Sequence, residues 1–456
     1  AFAGKGNNGG DALAALAELP RDSERIAYVE NSPSPPAARR DAEERAKQNG
    51  VLIRGFPKSL TQARTALESC TLAFDGMLGI GARLPVPAIY RDPIAALNEG
   101  TVPVLAIDVP TGVNAGDGAV SDPAVQATLT VTLAAPKLGL LLEPARSYCG
   151  ELWIGDIGMP DAILQAQSGE YASLDFSEFF RLLPKRDADS DKRKAGAPLI
   201  IAGSQQFPGA AVLCALGAAR AGAGYVTVAT PQSAVAPLHA HLIEQVVVEL
   251  NSADDALDVA KRCGSIGIGP GLGLDDATGE LVRDIVRRAE LPIVADASAL
   301  FHFAKNLEML RGKQIVLTPH EGEFARLSGK GTIKPGDRVA RLREFVDRTG
   351  VTTLLKGPST LIYDGNVMHI NPTGTPLLAT AGTGDVLTGM IATLLSQGLG
   401  VTDAARAAAY WHGLAAHVAA QGRAIGVIAR DIADNLGRTI SLWRSEADVP
   451  GLTRVF

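Results

Sequence analysis

Apolar positions in the first 160 residues fall into short β-type runs, RIAYV, LAFDG, VPVLAIDVP and ATLTVTLAA, separated by polar or alanine-rich stretches of helical character. That alternation is the rhythm of a mostly parallel sheet covered by helices. Around LLPKRDADSDKRKAGAP, residues 182 to 198, hydrophobicity collapses and charge gathers, the pattern of an interdomain linker. The rhythm then restarts with APLIIAGS and continues through AAVLCALGAARAGAGYVTVATP, SIGIGPGLG, LPIVADASAL, QIVLTPHEGEF and TTLLKGPSTLIYDGNVMHI. Asp364-Gly365 between TLIY and NVMHI reads as a hairpin turn, giving the second sheet an antiparallel flap or edge. Residues 31 to 40, NSPSPPAARR, read as an extended or mobile loop. The pattern predicts an α/β chain of two domains, 1–160 and 198–456, with 161–197 as linker and entry to the second domain.

The strand ends carry the candidate chemistry, because functional groups on open α/β sheets collect there. In LLATAGTGDVLTGMIATLL, Leu387, Met390, Ile391, Leu394 and Leu395 share one face of a predicted helix. Gly382, Thr383, Gly384 and Asp385 then sit at or just before its N-terminus, where unpaired N–H groups and the helix dipole suit an anion. Asp385 could be a plain N-cap or a working carboxylate. LLKGPSTLI places Lys356, Gly357, Pro358, Ser359 and Thr360 in a turn able to offer N–H groups, hydroxyls and a cation to a phosphate. LTPHEGEF adds His320, Glu321 and Glu323, and GIGPGLG is a glycine turn against which a flat ring or phosphate could lie. Together they fit phosphoryl transfer, with a carboxylate taking the proton of an attacking hydroxyl. In the first half, GNNGGD opens an alanine-rich helix and suits a nucleotide phosphate or a cation, while Asp75 and Asp108 each end a β-type run.

Composition narrows the classes. With 456 residues and 46% hydrophobic content the chain can build two large cores. A net charge of -6 argues against a general nucleic-acid or anionic-membrane binder. Cys70, Cys149, Cys214 and Cys263 form no CxxC pair, which points to reduced thiols in a cytoplasmic protein, and the seven histidines show no HExxH-like spacing. The most apolar stretch, LTVTLAAPKLGLLLEP, is broken by Pro136 and Lys137 before it could span a membrane.

In order and spacing, AGSQQFPGAAVLCALGAARAGAGYVTV, GPGLG, DASAL, LTPHEGEF, LKGPST and NPTGTPLLATAGTGDVLTG resemble the ribokinase-like domain of NAD(P)H-hydrate dehydratases. GKGNNGGDALAA, FDGMLGIGARLP, AIDVPTGVNAGDG and APKLGLLLEPARSYCGELWIGDIGMP resemble the Rossmann-like, three-layer NAD(P)H-hydrate epimerase domain. That order of domains is the order of the bifunctional bacterial repair enzymes. The resemblance implies a second domain that phosphorylates the ring hydroxyl of hydrated NADH or NADPH, using ADP (or ATP) with Mg2+, and then eliminates phosphate. Asp385 would be the base, Lys356, Gly357, Pro358, Ser359, Thr360 and Gly384 would bind the nucleotide, and Ala210, Gly271, Gly273 and His320 would line the hydrate site beside Asp385.

The first domain would interconvert the C6 epimers, with Asp75 and Asp108 nearest the chemistry. Asn8, Asp75 and Thr111 would hold K+. Asn7, Asn8, Gly9, Gly10 and Asp11, the loop Gly79, Ile80, Gly81, Ala82, Arg83, Leu84 and Pro85, and Asp108 would contact the hydrate. The resemblance further implies a cytoplasmic homo-oligomer acting on a small molecule, and helices and a strand ahead of Ala1. The sequence departs from the family at Ala12, where a glycine is usual, at Thr111, where serine is usual, and in DKRKAGAP, a loose match to a His-Lys-Gly-like segment. The other reading is a ribokinase-like vitamin or sugar kinase carrying a non-catalytic nucleotide-binding module.

Overall fold

The computed structural model describes residues 1–167, 169–186, 191–443 and 451–455. They form two compact units, one built on Ala1–Gln167 and the other on the residues from 169 to 443.

The first unit is organised on an eight-stranded sheet. Across it run Leu452–Arg454, Glu151–Gly155, Leu129–Leu133, Val104–Ile107, Ala73–Gly76, Phe2–Ala3, Ile26–Val29 and Leu52–Gly55. Pairing is parallel except where Leu452–Arg454 runs against Glu151–Gly155. Successive side chains of a strand point to opposite faces, so Phe2 and Ala3 belong to different cores. On one face the helices Asn7–Glu18 and Ala37–Gln48 bury Ala12, Leu13, Leu16 and Ala46. On the other, Leu60–Leu67 and Ala88–Glu99 bury Ala63, Tyr90, Ile94 and Leu97. This is a three-layer arrangement.

The second unit carries a ten-stranded sheet. Its order is Val246–Glu249, Thr227–Thr230, Pro198–Ile201, Ser265–Ile268, Ile293–Ala295, Ile315–Leu317, Thr352–Leu355, Leu361–Tyr363, Met368–Ile370 and Tyr171–Ala172. The Asp364-Gly365 turn joins two antiparallel strands, as its sequence predicts. Thr383–Ser396 packs on Pro208–Arg220 and on the central strands. The expected apolar face is too narrow: every residue from Val386 to Leu395 is buried. Close approach explains this, because Gly217 lies against the Val386 backbone and Gly389 against the Cys214 carbonyl, where any Cβ would collide.

Three expectations about boundaries change. Tyr171–Ala172 joins the second sheet, and in the helix Phe176–Leu182 the fully buried Phe179 packs 5.1 Å from the Tyr410 ring, so this part of the expected linker is domain core. Residues 168 and 187–190 of that linker lie outside the described residues. Leu452–Arg454, expected in the second domain, is a strand of the first sheet. Finally, residues 37–40 of the proline-rich stretch are helical, since Pro36 supplies the extended N-cap from which Ala37–Gln48 starts. No helix among the described residues is long and apolar enough to cross a membrane.

Candidate active sites

In the first unit the site forms where the strands end. GNNGGD is less a loop than the first turn of a helix, which begins at Asn7 with Gly6 as N-cap. Gly9 lies against the backbone of Gly4, and Gly76 against Ala12 and the Asn8 carbonyl, so glycines let this helix sit directly on the strand ends. Asn8 Nδ2 donates to the Leu78 carbonyl (2.9 Å), and Gly79 packs on the Asn8 side chain, which brings the start of the Gly79–Pro85 loop to the helix N-terminus. Ile80 in that loop stands 63% exposed, an apolar group kept at the surface.

Asp75 and Thr111 are hydrogen-bonded to each other, and Leu78 joins them to Asn8, its N–H on Thr111 and its carbonyl on Asn8. Asp75 is completely buried, with Oδ1 accepting from Thr111 Oγ1 (2.7 Å) and Met77 N (3.2 Å) and Oδ2 from Thr111 N (2.7 Å). Burial pushes its carboxyl up to about 6, against those hydrogen bonds, which pull it down. Thr111 Oγ1 in turn accepts from Leu78 N (3.0 Å). Asn8 Oδ1 is buried without a hydrogen-bond partner. An orphaned oxygen beside a buried carboxylate and a hydroxyl is the donor set of a hard cation.

Asp108 occupies the left-handed region at φ 68°, which an aspartate tolerates better than most residues. Its Oδ1 accepts from Lys137 Nζ (2.6 Å) and Leu133 N (3.1 Å). Lys137 also donates to the Leu133 carbonyl (2.7 Å), so the pair is anchored. Burial, and then the charge of Asp108, raise the Asp11 carboxyl above its ordinary range, which marks Asp11 and Asp108 as neighbours. Lys137 was missed as a site residue, since it reads only as a break in an apolar run.

The second unit assembles its site around Asp385. The helix starts at Thr383, Gly382 is the N-cap in the left-handed region (φ 88°), and Asp385 lies in the first turn. Asp385 is therefore not the cap, and its carboxylate makes no hydrogen bond among the described residues. Burial, then the charge of Asp296, push it up to about 7, against the pull of Lys356. Lys356 Nζ sits 2.8 Å from Asp296 Oδ1. Burial lowers the ammonium, but Asp296 and Glu323 outweigh that and hold it above the usual lysine range. Gly384 leaves room for this group, because a Cβ there would stand 3.2 Å from Lys356 Nζ.

The Lys356–Thr360 turn is held from below by Arg338, a buried residue donating to the carbonyls of Ser359 (2.7 Å) and Lys356 (3.2 Å). Pro358 and Gly357 close the turn, and Thr360 Oγ1 donates to the Gly357 carbonyl (3.4 Å). Lys356 N donates to the Pro319 carbonyl (2.8 Å), which ties the turn to the His320 segment. His320 caps the helix Glu321–Ser328: its Nδ1 accepts from Gly322 N (3.0 Å) and Glu323 N (3.3 Å), while Glu323 accepts from His320 N (2.9 Å). The ring proton therefore lies on Nε2, the only ring nitrogen left for a ligand.

Gly271, at φ 67°, lies against Ala210 and Phe207, so Ala210 and Gly271 share one wall. Gly273 N donates to Ser298 Oγ (3.3 Å). Sequence reasoning missed Asp296, Thr388 and Arg338. Asp296 was legible in principle, as the acid following the strand run of LPIVADASAL, but Arg338 lies in a charged helix with no local signal.

Comparison with known proteins gives the family of both halves of the chain. The family described as NAD(P)H-hydrate dehydratase matches residues 198–438, and that described as YjeF-related protein N-terminus matches 1–139. The chain is 37% identical over 441 residues to a bifunctional NAD(P)H-hydrate repair enzyme of Moorella thermoacetica, covering 92% of this chain and 83% of the relative. A protein of the same name from Coxiella burnetii is 35% identical, with 95% and 88% covered. Among solved structures, an ADP/ATP-dependent NAD(P)H-hydrate dehydratase from Bacillus subtilis, co-crystallised with ATP/Mg2+, superposes with TM-score 0.53 at 31% identity, covering 61% of this chain and 99% of that one. A ribokinase-like superfamily protein from Enterococcus faecalis gives 0.54 at 28% identity, with 60% and 96% covered. By its two matched domains and its likeness to these relatives over most of their length, the chain belongs to the family of bifunctional NAD(P)H-hydrate repair enzymes.

Proposed function

We propose that the two sites divide the repair of hydrated NADH and NADPH between them, one equilibrating the C6 epimers and the other dehydrating the S epimer at the expense of ADP. The observation that carries the second role is Asp385: a carboxylate with no hydrogen bond among the described residues, with a proton affinity near neutrality, at a helix N-terminus beside a lysine. Such a group removes the proton of the ring hydroxyl as the hydroxyl oxygen attacks phosphorus. The N–H group of Gly384 in the first helical turn and the Lys356 ammonium meet the charge on the transferring phosphoryl. Departure from C6 of phosphate, a far better leaving group than hydroxide, with loss of a proton from C5 to solvent or a base, then forms the C5–C6 double bond and restores the dihydropyridine. Lys356 to Thr360 and Gly384 hold the nucleotide, and Ala210, Gly271, Gly273 and His320 Nε2 hold the hydrate. Among the described residues no cluster of three or more His, Cys, Asp or Glu is arranged for a metal, so Mg2+ would arrive on the nucleotide phosphates.

In the first unit, the residues fit a potassium ion: Asn8 Oδ1, Asp75 and Thr111 would hold it, and it would supply positive charge where the anionic nucleotide lies. Asp75, buried with both oxygens bonded, serves that role better than proton transfer. Asp108, paired with Lys137 and close to Asp11, carries the proton at C6. Asn7 to Asp11 and the Gly79–Pro85 loop bind the nucleotide.

Offered R-hydrate alone with ADP in potassium buffer, the protein should restore the full dihydronicotinamide absorbance, because epimerisation feeds the S-specific step. Replacing potassium by lithium should slow recovery from R-hydrate and leave recovery from S-hydrate unchanged. Equal rates from R-hydrate in the two buffers would contradict the cation assignment, and no recovery from R-hydrate in either would contradict the epimerase.

A further inference from the structure

The groups within electrostatic reach of Asp385 or of its neighbour Lys356 come from five elements. Asp296 follows Ile293–Ala295, Lys356 follows Thr352–Leu355, and Glu323 lies in the first turn of Glu321–Ser328. Cys214 belongs to Pro208–Arg220 and His412 to Val401–Ala420. Burial holds the Cys214 thiol well above its ordinary range and pushes His412 down to about 4, so neither is charged at neutral pH. Among the described residues one cation, Lys356, therefore serves three carboxyls: Asp296, Asp385 and Glu323.

The ammonium is not shared evenly. It stands 2.8 Å from Asp296 Oδ1. Asp296 is only 2% exposed, and its other oxygen is fixed by the Thr388 hydroxyl at 2.9 Å. Thr388 lies in the same helix as Asp385, and its hydroxyl is also 3.1 Å from the Gly384 carbonyl, so Asp296 is tied directly to the turn that carries the base. Asp385 has no such tether among the described residues.

We propose that Asp296 is a positioning residue for the dehydration reaction: it anchors the Lys356 ammonium and sets a fixed negative charge beside Asp385, so that Asp385 stays an unpaired base instead of becoming the counter-ion of Lys356. The inference rests on Asp385 being the base. Without the Asp296 charge, the carboxyls left to Lys356 are Glu323, which already accepts from His320 N, and Asp385, which makes no hydrogen bond among the described residues. A carboxylate neutralised in that way is a weaker base and is held away from the hydroxyl it must deprotonate. With Asp296 ionised, Lys356 is satisfied yet remains beside Gly384, where a phosphoryl group would pass.

The test is the pH dependence of kcat/KM for S-hydrate at saturating ADP, in the whole protein and in Asp296→Asn, Thr388→Val, Lys356→Met and Asp385→Asn. Asp385 must be ionised to act, so wild-type activity should fall as pH drops through about 7. Asp296→Asn should move that limb acidward by roughly one pH unit and lower the plateau. Thr388→Val, which loses one hydrogen bond and keeps the shape, should move it less in the same direction, and Lys356→Met should move it the opposite way. A merely structural role for Asp296 would lower activity without displacing the limb. An unmoved limb in both Asp296→Asn and Thr388→Val, with Asp385→Asn inactive, overturns the proposal. Full activity in Asp385→Asn would instead overturn the reading of Asp385 as base.

Discussion

Replacing Asp385 by asparagine should cut the turnover of S-hydrate by roughly a hundredfold or more, while ADP still binds. The substitution keeps side-chain size in the first turn of a helix whose cap is Gly382, so no capping bond is lost and the buried run Val386–Leu395 is undisturbed. The adjacent Asp296–Lys356 pair persists, which preserves the cation proposed to meet the nucleotide. What disappears is the one carboxylate there that makes no hydrogen bond among the described residues. Turnover by stopped-flow absorbance and ADP affinity by calorimetry separate the two effects. Near wild-type turnover would remove Asp385 from the chemistry, and loss of ADP binding along with turnover would place it in the nucleotide cradle.

Asp108→Asn should have a comparable effect on the other activity, slowing R/S exchange by about a hundredfold and leaving dehydration of S-hydrate intact. Asparagine accepts the left-handed backbone that Asp108 adopts at φ 68°, so the turn itself survives. An amide oxygen can still receive the Leu133 N–H, and Lys137 keeps the Leu133 carbonyl. The variant thus loses the charge and basicity and little else. Exchange followed by NMR without nucleotide reads this directly. Unchanged exchange would move the proton transfer to Asp11 or Asp75, and a parallel fall in dehydration would report general damage to the protein.

The residues differ in how much of this was legible from sequence, for physical reasons. Strand runs such as VPVLAIDVP and APLIIAGS announce themselves because a strand buried on both faces must be continuously apolar, and the matching strands Val104–Ile107 and Pro198–Ile201 are central in their sheets. Edge strands do not: Val246–Glu249 is partly exposed, and Leu452–Arg454 reaches its sheet from the far end of the chain, where no local pattern reveals the partner. Asp385 and Lys356 stand out because glycines surround them. Asp296 was seen as part of a motif without a role, since its meaning lies in two contacts, with Lys356 and Thr388, that are sixty and ninety-two residues away in sequence. Burial is equally invisible locally. Nothing in LAFDG tells that Asp75 is sealed from solvent with both oxygens bonded, the observation on which its proposed cation role rests.

The most direct measurement of the central claim is absorbance in the dihydronicotinamide band as the protein is mixed with purified S-hydrate and ADP, with the nucleotide and phosphorus products followed alongside. Growth of the band in step with release of AMP and phosphate is the predicted result. Accumulation of a stable phosphorylated compound without the band would contradict it and identify a kinase that keeps its product.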